Sequence, residues 1–107
     1  MAYDKALAER IRAALPLPMT EKKMFGGVGF LLDGHMACGI YQDYLIIRVG
    51  VDGYGEALSR PHTKPLDIRG GEMRGWVMVA PEGCQDEESL MAWIRQGVQV
   101  AGKLPPK

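Results

Sequence analysis

Between Lys22 and Val49 the chain alternates short apolar runs with turn-forming pairs, and this pattern restricts the fold more than any other feature. The runs are Lys22 to Phe25, Val28 to Leu32, Met36 to Tyr41 and Tyr44 to Val49, separated by Gly26-Gly27, Asp33-Gly34 and Gln42-Asp43. Segments this short with turn signals between them predict strands joined by hairpins. Asp33-Gly34 is the clearest turn, because both central positions of a type I′ hairpin need positive φ and this pair tolerates it. The expected arrangement is an antiparallel meander. Alternation places Val28, Phe30 and Leu32 on one side with Met36, Cys38 and Ile40. Gly29, Ala37 and Gly39 fall on the other, where small side chains would let a covering helix come close.

Helical patterns flank these strands. Tyr3, Leu7, Ile11, Ala14 and Leu15 recur at helical spacing, and Pro16 and Pro18 end that helix near Leu15 because each lacks an amide proton and restricts the residue before it. A short helix is expected over Asp52 to Arg60 with Asp52 as its cap, although Gly53 and Gly55 weaken it. An extended piece at Leu66 to Ile68 is expected to pair with Trp76 to Ala80 as a second hairpin. Leu90, Trp93, Ile94, Gly97, Val98 and Ala101 then form an apolar stripe behind Asp86, Glu87 and Glu88, acids that suit the positive end of a helix dipole. The fold class expected is α+β: one domain over 1–107, an antiparallel β-sheet made of a meander plus a second hairpin, packed by N-terminal and C-terminal helices.

Composition narrows the function classes. The 107 residues carry 13 Lys plus Arg against 13 Asp plus Glu, and 47% are hydrophobic, a balance that supports one core and excludes disorder. Zero net charge argues against nucleic acid as the main partner, since phosphate affinity comes largely from cations that displace counterions. No apolar stretch has the length of a membrane span, and the first residues do not begin as a signal peptide does. The expected location is the cytoplasm, with no membrane partner, and in that compartment Cys38 and Cys84 are expected as free thiols.

Candidate chemistry is sparse. Gly26-Gly27-Val28-Gly29 opens like a nucleotide loop, but Leu32 stands at the third glycine position and no helix follows. His35, Cys38, His62 and Cys84 are zinc-type residues without paired-ligand spacing, and His35 and Cys38 point to opposite faces of a strand. Ser59 and Ser89 lie on expected helical surfaces with no nucleophile elbow. Cys84 precedes a helix, yet Glu82, Asp86, Glu87 and Glu88 surround it in sequence, so an inert, partly exposed thiol is expected. No catalytic residue, cofactor or metal is assigned. The region from Arg60 to Trp76 stands out: Arg60, Lys64, Arg69 and Arg74 outnumber Asp67 and Glu72 in a glycine-rich loop that ends in Trp76. Arginine with tryptophan is the composition of interface hot spots, which makes Arg60, Lys64, Arg69, Arg74 and Trp76 a candidate interaction surface.

Several strings follow one another in order: Met24-Phe25-Gly26-Gly27-Val28-Gly29-Phe30, Met36-Ala37-Cys38-Gly39, Arg48-Val49-Gly50, Met73-Arg74-Gly75-Trp76-Val77, Trp93, and Leu104-Pro105-Pro106-Lys107. Together they resemble the TfoX (Sxy) N-terminal domain family of bacteria over nearly the whole chain. The resemblance implies an α+β fold with helices packed on an antiparallel sheet, in a bacterial cytoplasmic protein. Full-length members look like regulators of natural competence that act with the transcription machinery, and the family offers no established catalytic or metal residues to carry over. The expectation is therefore a non-enzymatic regulatory module that presents the 60–76 loop and an exposed sheet edge to a protein partner, possible transcription machinery among them, or to a second copy as a homodimer. The alternative is a small-molecule-binding or enzymatic domain with a pocket between sheet and helices, lined by Phe25, Met36, Met78 and the arginines.

Overall fold

The computed structural model describes residues 4–24, 26–67 and 73–105. Tyr3, Phe25 and Ile68 through Glu72, Arg69 among them, lie outside the described residues. Two tight turns organise the first sheet strands. Asp33 and Gly34 take φ of 52° and 87°, the type I′ pair expected, and connect β2 (Gly27–Leu32) to β3 (His35–Tyr41). Gln42-Asp43 makes the next turn, into β4 (Tyr44–Arg48). With β1 (Thr20–Met24) these strands form the expected meander, each antiparallel to the next.

The helices begin and end for local reasons. Helix α1 (Lys5–Ala14) starts where the Asp4 carboxylate accepts the Leu7 amide at 3.1 Å and ends at Leu15, whose extended backbone precedes Pro16. Helix α3 (Glu87–Gly102) starts where Asp86 accepts the Ser89 amide at 3.0 Å, and Leu90, Trp93, Ile94, Gly97 and Ala101 are buried as their spacing predicts. Helix α2 (Gly50–Leu58) departs from expectation. It begins ahead of Asp52, and the Val49 side chain offers no cap. The Gly75 carbonyl takes that role from a distance in sequence, accepting the amides of Val49 (2.8 Å) and Gly50 (3.0 Å).

The second hairpin forms, but its first strand lies earlier than expected. It is β5 (Thr63–Pro65), paired antiparallel with β6 (Trp76–Val79). The Thr63 hydroxyl sits 3.0 Å from the Ala57 carbonyl and 2.8 Å from that of Arg60, so the strand starts as soon as the chain leaves α2. Pro65, which has no amide to donate, is tolerated because β5 is an edge strand. The β6 strand also pairs with β4, giving one six-stranded antiparallel sheet in the order β1-β2-β3-β4-β6-β5.

One irregularity reassigns a side chain. Phe30 opposes Cys38 but Leu31 opposes Met36, so Ala37 is an extra residue, a β-bulge. Met36 therefore leaves the face of Cys38 and Ile40, where alternation alone had placed it, and packs in a different cluster. The main core lies between the helices and the face bearing Val28, Phe30, Cys38, Ile40, Leu45, Ile47, Val77 and Val79. Leu7 and Ile11 of α1, Tyr54 and Ala57 of α2, and Leu90, Trp93 and Ile94 of α3 close it. The helices thus cover the large-residue face, and Gly29 and Gly39 lie on the other. A close approach occurs at the bulge, where a Cβ on Gly97 of α3 would collide with the Ala37 carbonyl oxygen.

Candidate functional site

Register defines what the uncovered face of the sheet carries. Tyr44, Ile46 and Arg48 of β4 point away from the helices, as do their partners Trp76 and Met78 of β6, Lys64 of β5, Gly39 and Tyr41 of β3, and Lys22 of β1. Ile46, Leu66 and Met78 are buried at its floor, roofed by half-buried Met36, Tyr41, Tyr44 and Trp76. A small second core of this kind lets a sheet face stand without a helix over it.

Cations lie across the aromatic rings of this face. The Arg48 guanidinium carbon is 4.6 Å from the Trp76 ring centroid, and the Lys64 Nζ is 4.5 Å from that of Tyr44. Each such contact contributes about 0.5–1 kcal/mol where solvent reaches it. Arg48 Nη1 is buried and without a hydrogen-bond partner among the described residues, and burial moves the guanidinium below its ordinary pKa. A buried donor without an acceptor carries an unmet desolvation cost. Beside Lys64, a depression of about 420 Å³ is lined by Tyr41, Gln42, Tyr44, Lys64, Pro65, Asp67 and Met78.

The five residues singled out from sequence do not form one patch. Lys64 and Trp76 share the uncovered face. Arg60 lies on the helix side, its guanidinium 3.8 Å from the Trp93 ring centroid and within 3.4 Å of Gln96. Arg74 is exposed in the turn before β6, and Arg69 is outside the described residues. Tyr41, Tyr44, Arg48 and Lys22 escaped the sequence reading. The signal for two of them was present, since Tyr44 and Arg48, with Ile46 between them, alternate with the apolar Leu45 and Ile47. The expected pocket between sheet and helices also changes: Met36 and Met78 pack on the face away from the helices, and Phe25 is not among the described residues.

Neither sheet edge invites pairing. The β1 edge reads Thr-Glu-Lys-Lys-Met and is charged and exposed over residues 20–23, while β5 is three residues long and ends in proline. Charge, proline and brevity are the devices that discourage strand addition.

The potentially reactive groups are held in unreactive surroundings. Both cysteines are free and buried, which corrects the expectation that Cys84 is partly exposed. Burial pushes the Cys38 thiol up to about 12. Burial also raises Cys84; Arg10 pulls it partly back, and Asp4, Asp86 and Glu82 push it up again. Its Sγ lies 3.7 Å from the Ala80 carbonyl. Arg10 itself is committed to the Cys84 and Gln85 carbonyls at 3.0 Å and to Glu87, tying α1 to the start of α3. His35 Nε2 meets the Pro105 carbonyl at 2.6 Å, and Ser59 Oγ donates to the Glu56 carbonyl at 2.6 Å. Among the described residues no group of three or more His, Cys, Asp or Glu could hold a metal ion, and no helix is long and apolar enough to cross a membrane.

The model of the TfoX N-terminal domain matches residues 13–101. This chain belongs to the TfoX N-terminal domain family. The match runs from the last residues of α1 to the last turn of α3, so all six strands of this TfoX N-terminal domain lie within it. No curated protein matches the chain.

Proposed function

We propose that this TfoX N-terminal domain is a non-catalytic regulatory module that works by docking a protein partner on the uncovered face of its sheet. The observation that carries this reading is the pairing of Arg48 with Trp76 and Lys64 with Tyr44 on a face that no described helix covers. Aromatic and arginine side chains over a buried apolar floor are the usual composition of a protein-binding hot spot. Family membership supports a TfoX-like domain, and the regulatory part of the reading comes from the resemblance, in which full-length members look like competence regulators acting with transcription machinery. The chemistry of the thiols points the same way: Cys38 and Cys84 are buried and held protonated, the state that does not attack electrophiles. The edges are poor templates for strand addition, so recognition by the sheet falls to its open face.

The test compares two baits from the source cell, the natural chain and the variant Arg48→Glu/Lys64→Glu, after confirming that both fold. A partner held by the first and lost by the second supports the reading. Identical captures from both overturn it. A second reading rests on the depression beside Lys64, whose 420 Å³ could hold a small anionic ligand. A metabolite that copurifies with the natural chain and not with the variant would favour it.

A further inference from the structure

The register places one row of residues straight across the uncovered face. Lys22 opposes Gly29, Gly29 opposes Gly39, Gly39 opposes Ile46, Ile46 opposes Met78, and Met78 opposes Lys64. The row begins and ends on a lysine. Five strand spacings separate them, roughly 24 Å. Arg48 stands one step along β4 from the middle of the row. None of the outward-facing positions in the described strands carries an acid: the strands hold one carboxylate, Glu21, which faces the helices and pairs with Arg12 at 2.6 Å. Arg48 and Lys64 have no carboxylate partner among the described residues. A chain with 13 cations and 13 acids overall therefore has one sheet face whose described strand positions carry cations and no acid, with Asp67 as the nearby carboxylate at the rim of the depression by Lys64.

We infer that the partner seen by this face is an acidic, extended peptide segment of a protein, crossing the strands between Lys22 and Lys64 with one apolar or aromatic side chain seated beside Tyr44. This rests on the docking reading above and specifies its occupant. At about 3.3 Å per residue, the span between the two lysines accommodates about seven residues of extended chain. Gly29 and Gly39 are themselves buried and the Met36 methyl fills the space over Gly39, so in the middle of the row the peptide crosses on that apolar side chain. The depression by Lys64 also holds Asp67 at its rim, so the side chain that enters it is uncharged while the acids lie on either side.

Nucleic acid fits the same face less well. Three cations across this distance do not follow a phosphate at every nucleotide, and the Trp76 and Tyr44 rings on which bases would stack are already covered by Arg48 and Lys64. The neutral chain also lacks the long-range attraction that nucleic-acid binders use.

The probe is a fluorescein-labelled eight-residue peptide of six glutamates, one leucine and one tyrosine, titrated by anisotropy into the full chain and mapped by amide chemical shifts. Its counterparts are the same peptide with lysine for glutamate, and an oligothymidylate of equal length. Expected results are saturable binding of the glutamate peptide alone and shifts confined to β1 through β6. An affinity loss of about tenfold is expected in Lys22→Glu/Arg48→Glu/Lys64→Glu, with none in Arg60→Glu. If the triple variant does not fold, Lys64→Glu alone carries the comparison, with a loss of about twofold or more. Binding of the lysine peptide to equal strength, an unchanged affinity in the variants, or no binding at millimolar peptide overturns the inference. Tighter binding of the oligothymidylate overturns it in favour of nucleic acid, and a dimer on sizing that hides the face overturns it in favour of a second copy. If the captured partner of the bait experiment still depends on Arg48 and Lys64 while the glutamate peptide does not bind, the acidic occupant is wrong and the docking face stands. If capture ignores both residues, the docking reading falls as well.

Discussion

Arg60 and Arg12 show how two surface arginines of the same chain differ in what they hold. Arg60 lies flat on Trp93, a core residue of α3, so its side chain shields the ring where the core meets solvent. Replacing it with alanine should lower unfolding free energy by about 0.5–1 kcal/mol, read by urea denaturation, and should leave partner capture unchanged because the contact is on the helix side. Arg12 instead joins two acids, Glu9 of its own helix at 2.8 Å and Glu21 of β1 at 2.6 Å. The hydrogen bonds from Arg12 hold the Glu21 carboxyl below its ordinary range. A folded-state pKa below the unfolded one gives stability that is present above the unfolded value and lost as pH falls through the folded one. Thermal melts of the natural chain and Glu21→Gln should therefore differ at neutral pH and converge in acid, and a gap that stays constant down the acid range would contradict the assignment.

At the scale of elements, glycines of two helices make opposite predictions. Gly97 of α3 lies against the bulge, where an added Cβ would strike the Ala37 carbonyl, and a backbone atom cannot swing aside as a side chain can. Gly97→Ala should cost about 1–3 kcal/mol by pushing the helix off the sheet, despite the better helix propensity of alanine. Gly55 of α2 has nothing within 4 Å of its Cβ position, so Gly55→Ala should instead stabilise by about 0.5–1 kcal/mol. Both signs can be read from the same denaturation series. The contrast marks what the sequence could convey. The α3 stripe and the Asp33-Gly34 turn depend on spacing and local backbone preference, so they were legible. The start of α2 depends on the Gly75 carbonyl, and the side taken by Met36 depends on one extra residue in a strand, so neither leaves a local pattern. The binding face was half legible for the same reason. Lys64 and Trp76 stood out by composition, while Arg48 and Tyr44 joined them only once β6 was paired beside β4. Arg60, close to Lys64 in sequence, was carried to the opposite side of the sheet.

The whole molecule protects its thiols by cooperativity. Cys38 is fully buried in the centre of the sheet and Cys84 is 1% exposed behind α1. Disulfide-exchange reagents need a thiolate and a path to it, and for Cys38 both require opening of the helix–sheet core. Labelling of Cys38 in the native protein should therefore proceed at a rate set by global unfolding, rise with urea in step with the loss of structure, and be insensitive to residues of the uncovered face. Cys84 should label by a smaller opening in which α1 lifts away. Fast native labelling of Cys38 would mean that the core is looser than its packing indicates.

The pairing of Arg48 with Trp76 carries one more consequence. The chain leaves the sheet after Arg48, runs through α2 and β5, and comes back at a point one strand spacing from where it left. Everything from residue 49 to residue 75 is topologically an excursion whose two ends already meet, held shut at the Gly75 carbonyl. Such a segment is a natural place for evolution or an engineer to exchange one cover for another, because β4 and β6 would stay paired with each other whatever length of polypeptide was spliced between them.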